Sequence, residues 1–375
     1  MKYKLFLIAV ILVNSLLGQW KIGVSNYSFY DSNLYKNYRN NSDSYIIPGI
    51  DISRSGTAMD FYVNGYSILM NKNKNLNNVV GTFGMDYYKK LSDDLYSNFG
   101  MNVTNRINQP EYDYYDYFKI STQSALKWYS MDKGLTRIYF KIHNKSFSYE
   151  ESWNHIEYTL KLQQNFYFTT GTTLRFEAEP IIRDFLQYSY QYNYITYQDE
   201  LPTLWQSKLK FRVAQSLSDN FGGYTEFLYR YNPSKTNPYD PLIQSFSPID
   251  DYFGYGGYEW HSQLKYKLSE SLWLTTSAEL YRDIYKNRAI YDYDFETDAF
   301  SLDDEGYYIP IGKNREDTGF IMDFSISYRL SKLFNSPSQL YLNLKYSNQV
   351  NESNDGYYDY ENNSVSLQLN YNTQF

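Results

Sequence analysis

From Trp20 onward, apolar and polar residues alternate along the chain over stretches of ten or more residues. A period of two is typical of β-strands with one apolar face, and no segment shows a convincing helical period. In the C-terminal stretch SVSLQLNYNTQF, six alternate residues share one face: Val365, Leu367, Leu369, Tyr371, Thr373 and Phe375. The pattern predicts an all-β fold. It fits either a soluble sandwich, with apolar faces buried between two sheets, or a membrane barrel whose apolar face meets lipid.

The connections between the predicted strands favour the barrel. Strands are predicted at 20–30, 44–54, 57–70, 78–90, 94–107, 114–130, 134–148, 154–168, 172–188, 203–217, 221–232, 254–268, 271–286, 317–331, 338–350 and 362–375. Short and long connectors alternate strictly, as do the short periplasmic turns and long extracellular loops of outer-membrane barrels. We therefore predict a transmembrane antiparallel up-and-down β-barrel of about sixteen strands. Because Pro48 and Pro180 interrupt predicted strands, fourteen or eighteen strands are alternatives.

Residues 1–18 differ from the rest of the chain and predict an export signal. Lys2 and Lys4 precede an unbroken apolar stretch from Leu5 to Val13, which is too short to span a membrane as a stop-transfer helix. Cleavage is expected near Gly18. The remaining residues, 19–375, are predicted to form a single barrel domain.

Composition removes several other classes of protein. The 375 residues include 46 Tyr and 23 Phe, and so many aromatic rings argue against disorder. The absence of Cys excludes disulfides, thiol catalysis and Cys-based metal sites. A formal net charge of −7 makes nucleic acid a poor candidate partner.

These features together resemble the Gram-negative outer-membrane β-barrel proteins, and porins in particular. The likeness rests on the signal at 1–18, the sixteen strands with alternating connectors, and the aromatic last strand. It implies a location in the cell outer membrane and contact with outer-membrane lipid. It also implies that Tyr371 and Phe375 belong to an insertion signal that the barrel-assembly machinery reads. A homo-oligomer is a further expectation, because sixteen-stranded general porins are commonly trimers.

If the apolar face meets lipid, the opposite positions line the lumen, and these positions are rich in charge. The candidate lumen residues are Lys119, Lys127, Arg137, Lys141, Lys161, Arg175, Lys208, Lys210, Arg212, Arg230, Lys265, Lys267, Arg329, Glu226, Glu259 and Asp323. Basic residues outnumber acidic ones on the strands from 114 to 268, which predicts a basic wall. Such charges either face open water or pair across neighbouring strands and fill a polar interior, and the sequence leaves both alternatives open.

The longest predicted loop, 287–316, is rich in carboxylates. It carries Asp292, Asp294, Glu296, Asp298, Asp303, Asp304 and Glu305. Their spacing does not follow the twelve-residue Ca²⁺ loop, so a solvated surface is the better interpretation. The loop either folds inward and constricts the pore or stands outward as a binding surface.

The leading hypothesis is a porin-like channel for passive diffusion of small hydrophilic solutes, with selection by width and by the basic wall. The alternative is a non-conducting barrel whose Tyr-rich, acidic loops bind a surface ligand or partner. A secreted soluble β-sandwich lectin is a third interpretation. The chain shows no phosphate-binding loop and no metal-ligand spacing, so we expect no enzyme activity, no cofactor and no metal.

Overall fold

The structure is a computed structural model. It describes residues 19–130, 134–149, 151–186, 189–192, 195–198, 203–233, 254–297, 299–304, 306, 309–332 and 338–374. The predicted signal at 1–18 and the terminal Phe375 lie outside the described residues. Within them, no helix is both long enough and apolar enough to cross a membrane.

Sixteen strands form one closed antiparallel barrel in which each strand pairs with its neighbours in the chain and the first pairs with the last. They are β1 (Gln19–Asp31), β2 (Asp43–Ser55), β3 (Met59–Met70), β4 (Asn78–Lys90), β5 (Leu95–Asn108), β6 (Tyr117–Ser130), β7 (Gly134–Phe147), β8 (His155–Tyr167), β9 (Thr172–Phe185), β12 (Leu204–Ser218), β13 (Phe221–Tyr231), β14 (Gly256–Lys267), β15 (Leu272–Tyr291), β18 (Pro310–Arg329), β19 (Gln339–Ser353) and β20 (Tyr360–Gln374). The all-β, up-and-down barrel of sixteen strands is confirmed.

Two small hairpins lie in the long loops, outside the barrel sheet. One pairs β10 (Ser189–Tyr192) with β11 (Ile195–Gln198), and the other pairs β16 (Tyr293–Asp294) with β17 (Ala299–Phe300). The strand predicted at 172–188 therefore ends at Phe185, before the first hairpin begins.

The outer face of the barrel is apolar. Val24, Phe324 and Leu367 are 49%, 46% and 44% exposed, and similar residues occupy alternate positions on the other barrel strands. A single-layer barrel has no second sheet to cover these side chains, so the soluble sandwich is wrong. An apolar outer face on a closed barrel is the arrangement that hydrocarbon requires.

Both prolines predicted to interrupt strands lie inside intact barrel strands. The β2–β3 pairing is lost at Pro48 but resumes in the same register, from Ile46 opposite Leu69 to Gly49 opposite Tyr66. Pro180 likewise interrupts the β8–β9 ladder while it stays paired to Ser207 of β12. Proline lacks an N–H group, so it removes a hydrogen bond on one side while the other neighbour holds the strand.

The loop predicted at 287–316 is shorter in the structure. β15 continues to Tyr291 and β18 begins at Pro310, so the connection spans only 292–309. The register between these strands shifts beyond Ile284. The sequence did not predict this extension because the residues in this part of the hairpin do not alternate between apolar and polar. Only the part of a strand that contacts lipid requires such alternation.

Replacing an outward residue by a charge tests the lipid-facing assignment. We expect Leu367→Lys, in the middle of β20, to lower the free energy of unfolding from lipid vesicles by about 2–4 kcal/mol. The matched control is Gln368→Lys, the next residue, which faces inward opposite Tyr27. Urea titration of both variants measures the difference, and an equal loss in the two would contradict the assignment.

Candidate lumen wall and channel mouth

Every candidate lumen residue predicted from the sequence lies on the inner face of its strand, where it alternates with outward side chains. Lys119, for example, stands between Phe118 and Ile120, which are both exposed on the outside. The inner-face set comprises Lys119, Lys127, Arg137, Lys141, Lys161, Arg175, Lys208, Lys210, Arg212, Glu226, Arg230, Glu259, Lys265, Lys267, Asp323 and Arg329. Their contribution to conduction stays a prediction.

Part of the basic wall is held by carboxylates from neighbouring strands. Lys161 on β8 places Nζ 3.1 Å from Oε1 of Glu177 and 2.6 Å from Oε2 of Glu179, both on β9. Arg175 also pairs with Glu177, and Lys208 on β12 lies 3.6 Å from Glu179. These residues share one face of adjacent strands, so direct and diagonal pairs come within reach of long side chains.

The same ladder continues across β12, β13 and β14. Oε1 of Glu226 lies 3.1 Å from Nζ of Lys210, and Oε2 lies 2.5 Å from Nε of Arg212. Farther toward the mouth, Arg230 donates to Glu259 at 2.7 Å. Each of these glutamates therefore fixes one or two cations at a set height on the wall.

A second set of cations has no such partner. Lys119, Lys127, Arg137 and Lys141, on β6 and β7, make no salt bridge with any residue that the structure describes. Arg137 lies over the ring of Tyr139, with Cζ 5.2 Å from its centroid. The structure thus contains both arrangements left open by the sequence: paired charges on β8 to β14 and unpaired positive charge on β6 and β7.

Near the short turns, the inner wall contains a pocket of about 510 Å³. Its lining includes Tyr224, Gln263, Lys265, Lys267 and Trp273. The ammonium of Lys265 lies 5.8 Å from the centroid of the Trp273 ring. The sequence predicted the two lysines as lumen residues but not Tyr224 and Trp273. These two aromatic residues also occupy inner-face positions of the alternating pattern, which could have identified them.

At the opposite end, aromatic residues of three loops pack into one group, which we call the first mouth cluster: Tyr38, Tyr293, Phe295, Phe300 and Tyr357. The hydroxyl oxygens of Tyr38 and Tyr293 are 2.7 Å apart, and the Tyr38 ring meets those of Phe295 and Tyr357 edge to face. The acidic loop 292–309 therefore packs onto loops 32–42 and 354–359.

A second mouth cluster, formed by Tyr114, Tyr115, Phe147, Trp153 and Phe185, joins loops 109–116 and 148–154. Phe147 and Phe185 are inward-facing residues at the ends of β7 and β9, so both loops lean over the lumen side of the wall. Burial raises the pKa of Tyr115 above its ordinary value, and the neighbouring Tyr114 and Tyr112 raise it further.

No family model and no curated protein matches this sequence. Solved structures do match its fold. OccAB4 of Acinetobacter baumannii has a TM-score of 0.51 at 9% identity, covering 95% of this chain and 98% of that one. For OccK1 (OpdK) of Pseudomonas aeruginosa the values are 0.50 and 7%, covering 96% and 99%. For OccK2 (OpdF) of the same organism, solved in complex with glucuronate, they are 0.51 and 8%, also covering 96% and 99%.

At such low identities the likeness concerns the fold alone: the chain is similar to OccAB4, OccK1 and OccK2 in fold over nearly its whole length. A closed barrel with an apolar outer face is the architecture of outer-membrane proteins, because it leaves no unpaired strand edge in lipid. The chain is accordingly an outer-membrane β-barrel.

The ladder of ion pairs makes a stability prediction. We expect Glu226→Gln to lower the free energy of unfolding by about 1.5–3 kcal/mol, because Lys210 and Arg212 lose a charged hydrogen-bond acceptor. Glu279→Gln is the matched control: Glu279 also faces inward, but makes no salt bridge within the described residues. Unfolding both variants in urea measures the effect. A similar small change in the two would show that the Glu226 pairs contribute nothing.

Proposed function

We propose that this protein is a channel of the outer membrane through which small hydrophilic solutes, anions above all, diffuse passively. The observation that carries the proposal is the inner face of the closed barrel, where basic side chains outnumber the carboxylates that hold them. Barrels of sixteen strands are wide enough for an aqueous path, whereas eight-stranded barrels are filled by their own side chains.

Electrostatics supplies the selectivity in this proposal. Lys161, Lys210 and Arg212 are positioned by glutamates, so their charges stay in place without large conformational freedom. Lys119 on β6 and Lys141 on β7 make no salt bridge with a described carboxylate. A ring or wall of fixed positive charge favours anions over cations inside a narrow aqueous path.

The chemistry of one similar structure agrees with this class of solute. OccK2 was solved with glucuronate, a small sugar that carries a carboxylate. For this chain we propose small hydrophilic anions as the class of solute. The two lysines and the Trp273 ring in the pocket near the short turns suit a solute with both an acidic group and an apolar face.

The wider proposal includes the contacts of the barrel with its surroundings. The outward belt contacts outer-membrane lipid, and Tyr371, which is exposed on that belt, serves with Phe375 in the insertion signal for the barrel-assembly machinery. The chain has no catalytic role in this proposal. Assembly into a homo-oligomer stays a prediction.

The alternative function, a non-conducting barrel with ligand-binding loops, has weaker support. Its binding surface would be the Tyr-rich outer loops. In the first mouth cluster, however, the rings of Tyr38, Tyr293 and Tyr357 pack against one another, so the packed part of their surface cannot contact a ligand.

Conductance of the protein in planar bilayers tests the channel. We expect stable current steps, and a reversal potential under a KCl gradient that reports a preference for Cl⁻. A folded, inserted barrel that passes no current at any voltage would overturn the proposal.

The basic wall is tested separately. In the double variant Lys119→Glu with Lys141→Glu, we expect the Cl⁻ to K⁺ permeability ratio to fall roughly twofold or more, because unpaired positive charge becomes negative. Lys74→Glu, at an exposed turn of the outer loop 71–77, is the control. An unchanged ratio in the double variant would mean that β6 and β7 do not border the ion path.

A further inference from the structure

Two of the three histidines in the chain lie beside a glutamate on the inner wall where β7 and β8 pair. His143 is directly opposite Glu157, and His155 is two residues before Glu157 on the same strand and face. Residues at i and i+2 of one strand, together with the residue opposite them, point to the same side of a sheet. The three side chains therefore converge without any special loop.

We propose that His143, His155 and Glu157 form a binding site for a divalent transition metal, with Zn²⁺ as the best-matched ion. One ligand atom from each residue lies within 4.8 Å of the others. Ligands held at about 2.0–2.2 Å by tetrahedral Zn²⁺ would be roughly 3.3–3.6 Å apart, so the side chains need to draw together by at most about 1.5 Å. Two imidazoles and one carboxylate are a common Zn²⁺ ligand set, which leaves a fourth position for water or a small anion.

The partners of the three residues support this assignment. His155 Nδ1 lies 2.8 Å from the backbone carbonyl oxygen of Trp153, an arrangement in which Nδ1 donates and Nε2 keeps its lone pair for a metal. Oε2 of Glu157 accepts hydrogen bonds from Arg183 Nη2 at 2.8 Å and Nε at 3.2 Å, which orients the carboxylate. Such backbone and side-chain contacts are typical of the residues that hold metal ligands in place.

His143 adds a separate observation. Its side chain is 11% exposed, and its Nδ1 atom is buried with no hydrogen-bond partner in the described residues. That atom is 3.8 Å from Oε1 of Glu157, too far for a hydrogen bond. A buried imidazole nitrogen without a partner is costly, and a bound metal ion would satisfy it.

The surroundings set the expected strength and the choice of ion. Phe147, Trp153 and Phe185 of the second mouth cluster cover the site on the loop side. Lys119 and Lys141 lie on the neighbouring wall, and Arg183 offsets the charge of Glu157. These cations oppose any divalent ion, so binding has to come from imidazole coordination. That requirement favours Zn²⁺ over Ca²⁺ and Mg²⁺, which prefer oxygen ligands.

The test is equilibrium dialysis of the full-length folded barrel in detergent, first freed of metal with a chelator and then titrated with ZnCl₂. We expect one Zn²⁺ per chain and little competition from a large excess of Ca²⁺. His143→Gln and His155→Gln should each weaken binding at least tenfold. His261→Gln is the matched control, since His261 also faces inward but contacts the Tyr224 hydroxyl instead.

The proposal is overturned if no stoichiometric binding occurs at roughly 100 µM free Zn²⁺, or if the His261 variant loses as much binding as the cluster variants. Heat-dependent gel mobility establishes that each variant is folded. If the cluster variants do not fold, zinc-edge X-ray absorption of the unaltered protein decides the question. Two imidazole nitrogens in the coordination shell support the site, and a shell without imidazole rejects it. None of these measurements depends on the protein being a channel.

Discussion

The structure depends on one constraint: in hydrocarbon, every backbone N–H and C=O must find its hydrogen-bond partner within the protein. A sheet meets this condition only when its edges are joined, and here β1 pairs with β20 from Lys21 opposite Gln374 to Asp31 opposite Ser364. Pro48 and Pro180 mark the limit of the rule. Each lacks the N–H group on one ladder, yet the unbroken register on both sides keeps its strand in the barrel.

Closure explains why so much of the fold was predictable from the sequence. Once lipid lies outside and polar groups lie inside, a period of two is imposed along every spanning segment, and alternate apolar residues such as Leu367 and Leu369 reveal it. The strand ends were predicted well wherever a short turn follows. Prediction failed at Tyr291 and Pro310, because this end of the hairpin lies beyond the lipid-facing belt, where no alternating apolar pattern is required.

For the lumen wall, the sequence predicts which face of the strand each residue occupies but not which residues pair. The position of Lys161, Arg175 and Lys210 in the alternating pattern of their strands places them on the inner face, and this placement follows from the sequence. Their ion pairs do not, because they depend on which residue of β9 or β13 lies opposite each lysine or arginine. That register is set by turn geometry over the whole hairpin. Without the register, the sequence does not distinguish a wall of cations exposed to water from a wall whose cations are paired with Glu177 and Glu226.

The histidine cluster follows from the same register. A search for metal-ligand spacing looks for residues close together in the chain, but His143 and Glu157 lie on opposite sides of the loop 148–154. Pairing across the β7–β8 ladder brings them together, and the i, i+2 spacing adds His155. In the ion-pair ladder, a glutamate beside lysine or arginine produces a salt bridge. Glu157 makes such a pair with Arg183, and because it also lies beside two imidazoles, one of which has an unpartnered buried nitrogen, the same cross-strand geometry adds a set of metal ligands. The chemistry of the wall is therefore decided by which side-chain types the register places together, strand by strand, and not by the fold that carries them.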